Sequence, residues 1–143
     1  MTRGIIVGAF DLLHSGHLFT LRKAKKHCDR LIVGLQVNPK TERPDKNKPI
    51  ESMLERFNRL QACRYVDGVI PYETEEDVLN LLATGDFDFR FNGEDHEDKP
   101  MPSERDEMCE RMGIETIYVG RKHNWSTTRL RGRIEIRGRI ERG

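Results

Sequence analysis

A chain of 143 residues is the size of one domain with a core of its own. Charged residues make up 34% of it yet nearly cancel, leaving +1, which removes the global electrostatic reason to expect a nucleic-acid or membrane partner. Cys28, Cys63 and Cys109 are odd in number, widely spaced and form no CxxC pair, which argues against a disulfide framework or a structural zinc site and for a reducing compartment.

Hydrophobic residues are only 36% but fall in periodic segments, as in a folded chain. Met1 to Gly4 runs straight into a strand, which predicts no signal peptide, and no apolar run approaches the roughly 20 residues of a spanning helix. The expectation is a soluble cytoplasmic protein.

Ile5 to Val7 reads as a first strand. It leads into Gly8-Ala9-Phe10-Asp11-Leu12-Leu13-His14-Ser15-Gly16-His17, a tight turn and then a helix in which Leu18, Leu21, Ala24 and Lys25 keep helical spacing. Leu31 to Val37 is nearly all apolar, as a strand covered on both faces must be. Residues 38–49 are polar and broken by prolines, a long loop of the kind that often carries function. Residues 50–63 predict a helix with Met53, Leu54, Phe57, Leu60 and Cys63 on its apolar side. Val69 and Ile70 form a short strand, and Glu76 to Leu82 a helix. Phe87, Phe89 and Phe91 alternate with Asp88 and Arg90, which predicts a strand with one buried face. Ser103 to Met112 is a helix ended by Gly113, Thr116 to Val119 a fifth strand, and Ser126 or Thr127 caps a last helix.

Strands alternating with helices define an α/β fold: a single-domain, doubly wound, Rossmann-like parallel sheet of five strands, spanning residues 1–130. Residues 131–143 nearly repeat Arg-Gly-Arg-Ile-Glu and read as a basic helix end or tail. Ligands of such sheets bind beyond the carboxyl ends of the strands. The segments at Gly8 to His17, Gly93 to Asp95 and Arg121 to Thr128 all follow strands and are expected on one rim.

The turn before the first helix suits an anion, because the orphan N–H groups and the positive dipole end of a helix gather there. His14 and His17, three residues apart, share one side of a helical turn, and Gly16 lets a phosphate approach the backbone. A polyphosphate is the implied ligand, most plausibly a nucleotide triphosphate. The competing reading is that one histidine only caps or packs in the turn.

The same residues carry a resemblance. Gly8 to His17 is followed, in order and at similar spacing, by Lys48-Pro49, Glu55-Arg56, Arg64-Tyr65-Val66-Asp67, Val69-Ile70-Pro71, Gly93-Glu94-Asp95, Arg121 and Trp125-Ser126-Thr127-Thr128. Over nearly its whole length the chain resembles the HxGH nucleotidylyltransferases, and among them the small cytidylyltransferases typified by those acting on glycerol 3-phosphate. It departs from that pattern at Glu94, where the family commonly has an aspartate, and at Lys122-His123-Asn124-Trp125.

The resemblance implies transfer of a cytidylyl group from CTP to a small phosphorylated alcohol, sn-glycerol 3-phosphate first, with release of pyrophosphate. Relatives of similar size act on phosphoethanolamine, phosphocholine or sugar phosphates, or adenylylate FMN or heptose phosphates with ATP. Two other classes compete: a nucleotide-binding module without catalysis, and a nucleic-acid binder acting through the basic tail.

In such a transfer a phosphate oxygen attacks the nucleotide's α-phosphorus, so the site must supply cations, amides and Mg2+ rather than a strong base. The implied catalytic residues are His14, His17, Lys48 and Arg121. Gly8, Ala9, Phe10, Asp11, Gly16, Gly93, Asp95, Ser126 and Thr127 would line the nucleotide. Lys46, Arg56 and Arg64 would meet the second substrate, with Lys46 and Lys48 as rivals for one role. Asp11 would orient a histidine, hold the metal or make an Asx turn. Arg56 has a helix-surface ion pair with Glu55 as its rival reading, Arg64 a structural ion pair or a subunit contact, and Ser126 and Thr127 a pure capping role. A homodimer is implied as well.

Overall fold

In the computed structural model of the chain, residues 1–39, 48–93 and 103–119 are described. Within them five strands, β1 (Arg3–Gly8), β2 (Arg30–Gln36), β3 (Gly68–Tyr72), β4 (Phe89–Gly93) and β5 (Glu115–Val119), alternate with four helices, α1 (Ser15–His27), α2 (Met53–Gln61), α3 (Glu75–Thr84) and α4 (Glu104–Met112). The strands make one parallel sheet in the order β3-β2-β1-β4-β5. The doubly wound α/β expectation is met. The tail at 131–143 and the helix expected from Ser126 or Thr127 lie outside the described residues.

Each face of the sheet has its own core. Leu21 and Ala24 of α1 and Leu60 of α2 pack with Ile6, Leu31, Val33, Leu35, Phe91 and Val119. Val78 and Leu82 of α3 and Cys109 of α4 pack with Ile5, Ile32, Tyr72, Phe87 and Ile114 on the other side. Burial on both faces is why β2 reads as an unbroken apolar run.

Every described helix opens with a capping box. In α2, α3 and α4 the pairs are Ser52 with Glu55, Thr74 with Asp77 and Ser103 with Asp106; in α1 they are His14 and His17. Gly113 ends α4 at φ 71°, the left-handed conformation that glycine adopts without steric cost.

Two expectations about burial are corrected. Phe87, Phe89 and Phe91 do not share one face: β4 begins only at Phe89, Phe87 belongs to the α3–α4 side, and Phe89 and Phe91 pack on the α1–α2 side. Arg90 is buried with them, because β4 lies between β1 and β5 and is covered on both faces. In α2 the inner stripe runs through Met53, Arg56, Phe57 and Leu60, while Leu54 is 67% exposed.

The strand order reverses direction between β1 and β4, the switch point at which such sheets open a crevice. β1 pairs with β2 along its whole length, from Arg3 to Gly8, but with β4 only through Gly4–Phe89 and Ile5–Arg90. Beyond those pairs the two strands part, and their carboxyl ends, Gly8 and Gly93, flank the opening.

Candidate nucleotide-transfer site

The turn from β1 to α1 is strained and heavily tied down. Phe10 and Leu12 stand at φ 48° and 49°, in the left-handed region that non-glycine residues enter at a cost of about 1–3 kcal/mol each. Gly8 makes room for the turn: a Cβ there would come within 3.1 Å of the Phe10 ring. That ring leans on His17, centroids 5.3 Å apart and tilted by 55°.

His14 is the N-cap of α1, in extended conformation. Its Nδ1 accepts the Gly16 N–H at 3.0 Å, and Nδ1 of His17 accepts the His14 N–H at 3.2 Å. The two rings stack at 3.9 Å, 22° from parallel. A ring nitrogen that accepts a main-chain N–H carries no proton, so each neutral imidazole bears its hydrogen on Nε2, the nitrogen turned away from those main-chain groups. The cap thus fixes which nitrogen carries the hydrogen in each neutral ring. Gly16 is buried, and its N–H serves His14 rather than waiting for a phosphate. The first turn of α1 holds no acidic residue, whereas those of α2, α3 and α4 all do, so the positive end of α1 is not neutralised by its own side chains.

Asp11 is only 6% exposed. Its Oδ1 accepts the Glu51 N–H at 2.9 Å and its Oδ2 the Ile50 N–H at 2.8 Å. Glu51 answers: its Oε1 accepts the Leu12 N–H at 2.7 Å, and its Oε2 lies 2.6 Å from Arg59 Nε. Asp11 thus fastens the turn to the start of α2. Both its oxygens are engaged, and among the described residues no group of three His, Cys, Asp or Glu side chains converges to hold a metal. Asp11 is thus a main-chain clamp in this structure.

Arg56 is corrected too. It is 2% exposed and donates to four main-chain carbonyls: Nε to Glu51 at 3.3 Å, Nη1 to Ala9 at 3.0 Å and Gln36 at 2.6 Å, and Nη2 to Val37 at 2.7 Å. Burial pushes its pKa down, and Asp11 and Glu51 pull it back up. It neither lies on the surface nor pairs with Glu55, whose carboxylate caps the Ser52 N–H. Arg64 does not join the site. It precedes β3, and α2 has by then carried the chain back to the amino-terminal rim of the sheet. There it lies over the Tyr65 ring at 5.7 Å.

The structure thus brings together Gly8, Ala9, Phe10, Asp11, His14, Gly16 and His17, with Gly93 across the opening. Lys48 is exposed, ahead of α2. Lys46, Asp95, Arg121, Ser126 and Thr127 lie outside the described residues. Glu51 was missed: a glutamate two residues before a helix has no local signature of burial. Neither Cys28 nor Cys109 is available as a nucleophile, since both are buried and burial pushes their thiols up. Among the described residues no helix is long and apolar enough to cross a membrane.

A strand-turn-helix carrying a stacked imidazole pair, set at the switch point of a five-stranded parallel sheet, defines a Rossmann-like α/β protein. Residues 5–136 match the family model described as cytidylyltransferase-like, and the chain belongs to that family. It is 32% identical over 133 residues to the bifunctional protein HldE of Hyphomonas neptunium, covering 92% of this chain and 27% of that protein. It is 31% identical over 135 residues to ethanolamine-phosphate cytidylyltransferase of Dictyostelium discoideum, covering 92% and 36%. The chain therefore spans about a quarter to a third of these curated relatives. The lipopolysaccharide core biosynthesis protein of Thermoplasma volcanium shares the fold, with a TM-score of 0.67 at 23% identity over 87% of this chain and 99% of that one.

Proposed function

We propose that this chain is a cytidylyltransferase, joining CTP to a small phosphorylated alcohol with release of pyrophosphate. The observation that carries the reading is the stacked pair His14–His17, whose Nδ1 atoms are both committed to the main chain, so that both rings offer Nε2–H. The acceptor is a phosphate that is already an anion, so no base is required of the protein. The barrier lies in bringing two anions together and in the charge that grows on the α-phosphate and on the leaving pyrophosphate. Two Nε2–H donors at the positive end of α1 would meet that charge.

Lys48, Arg121, Ser126 and Thr127 belong to the proposal as further phosphate contacts, Gly93 and Asp95 as contacts to ribose and base, and Lys46 as the loop rival of Lys48. Mg2+ enters as the ion that travels on the triphosphate, keeping its waters, with no step assigned to it. A homodimer is proposed with Arg64 at the subunit contact, remote from its own chain's turn; light scattering at assay concentration tests it.

The acceptor is sn-glycerol 3-phosphate or phosphoethanolamine, the second favoured by the name of the Dictyostelium relative. The test is pyrophosphate release from each of the four nucleoside triphosphates against a panel of these two, phosphocholine and a sugar 1-phosphate, with products weighed by mass spectrometry. Turnover with CTP and a phosphoalcohol is expected. Turnover only with ATP overturns the choice of base, and tight nucleotide binding without pyrophosphate release from any pair overturns the transferase reading.

A further inference from the structure

The left-handed residues Phe10 and Leu12 straddle Asp11, and such conformations persist only where the surroundings over-determine them. Three buried charged side chains supply the constraint. Asp11 takes the N–H groups of Ile50 and Glu51, Glu51 takes the N–H of Leu12, and Arg56 takes the carbonyls of Ala9, Gln36, Val37 and Glu51. Ala9 precedes the strained segment and Leu12 closes it; one is gripped through its carbonyl by Arg56, the other through its N–H by Glu51. Gln36 and Val37 close β2, and Ile50 and Glu51 lead into α2, so one guanidinium gathers the carboxyl ends of two strands and the entry to a helix.

Burying three charges costs several kcal/mol per ion before pairing, and apolar side chains of like volume often serve stability as well. The hydrogen bonds of this cluster run to the main chain that leads into the histidine turn, so its local effect is to shape that segment. The geometry points to Arg56 as a positioning residue: through Ala9 and Glu51 it holds the turn from Phe10 to Leu12 in its left-handed form and thereby sets the His14–His17 pair. Lysine cannot replace it, because one ammonium cannot reach four carbonyls from the planar fork that arginine presents.

The kinetic half of the test rests on the transferase reading; the spectroscopic half does not. In Arg56→Lys, kept to a temperature at which circular dichroism shows it folded, the amide resonances of Ala9 to Gly16 and the ring 15N signals of His14 and His17 should move while those of α3 and α4 stay. In the pyrophosphate assay kcat should fall about 100-fold, the loss expected when reacting groups are displaced by about 1 Å. Adding Leu12→Gly, which takes a positive φ without steric cost, should return about tenfold of it. If Arg56→Lys does not fold, Glu51→Ala removes the acceptor of the Leu12 N–H and should give the same local pattern. Unchanged turn resonances, or shifts spread evenly over the molecule with no recovery by Leu12→Gly, would overturn the inference. A wild-type protein that releases no pyrophosphate would sink the transferase reading, and the resonances would still decide this one.

Discussion

The imidazoles of His14 and His17 stack at 3.9 Å while each binds a main-chain N–H through Nδ1, so the two side chains that close the first turn of α1 are also the two that present Nε2–H from it. A cap made of Ser and Glu would hold the same helix and leave no such donor. Capping can therefore be separated from chemistry.

Asparagine is as good an N-cap as any residue, and glutamine takes the return position of an ordinary capping box. His14→Asn and His17→Gln should each unfold in urea within about 0.5 kcal/mol of wild type. Their kcat should fall about 10²–10³-fold, the usual cost of losing one donor to a developing oxyanion. Alanine is a blunter probe, since it also removes a cap worth about 1 kcal/mol. Near-normal turnover in both variants would end the proposed mechanism.

Gly8→Ala would set a Cβ 3.1 Å from the Phe10 ring, which must yield, and that ring is the tilted neighbour of His17. The expected result is a kcat lowered about tenfold by a displaced imidazole, with a modest fall in Tm. A stable variant of full activity would show that the Phe10–His17 contact does not set the ring.

Arg90 is 4% exposed; Nη2 reaches Asp106 at 2.6 Å, while among the described residues Nε and Nη1 have no oxygen or nitrogen acceptor. Beside them is the Cys109 thiol, which burial pushes up and Arg90 only partly pulls back. Asp106 keeps the Ser103 N–H at 2.8 Å, so losing Arg90 would not strand it. Arg90→Met should raise stability by about 1 kcal/mol in urea. A loss of more than about 2 kcal/mol would show that the guanidinium has partners that balance its burial.

Burial pushes the Asp67 carboxyl up, but the Lys25 ammonium and the Leu31 N–H outweigh it and hold it below its ordinary 3.8. A carboxylate with a lowered folded pKa contributes stability above its unfolded pKa and loses it as pH falls through the folded one. Wild-type stability should therefore decline as pH drops below about 4, and Asp67→Asn should flatten that decline. Urea midpoints from pH 6 down to pH 2.5 measure it, and parallel curves would deny the pair its share.

The order of strands and helices, the glycine stop at 113 and the turn with its two histidines were all legible in the chain, because each rests on residues within a few positions of one another. Periodicity, capping and turn chemistry are local physics. Arg56 shows where that ends. It falls in the inner stripe with Met53, Phe57 and Leu60, a spacing that signals burial, yet an arginine there reads as an outward cation until its acceptors are known.

Those acceptors, Ala9, Gln36 and Val37, are brought to it by the sheet, as Ile50 and Glu51 are brought to Asp11 from some forty positions away. A charged side chain has one meaning in water and another when strand ends surround it with carbonyls, and no local pattern states which. Sequence alone determined the elements and the kind of ligand the turn invites. Only the tertiary structure decided which charges are consumed in shaping the turn, because hydrogen bonds between distant segments exist only after the sheet has assembled.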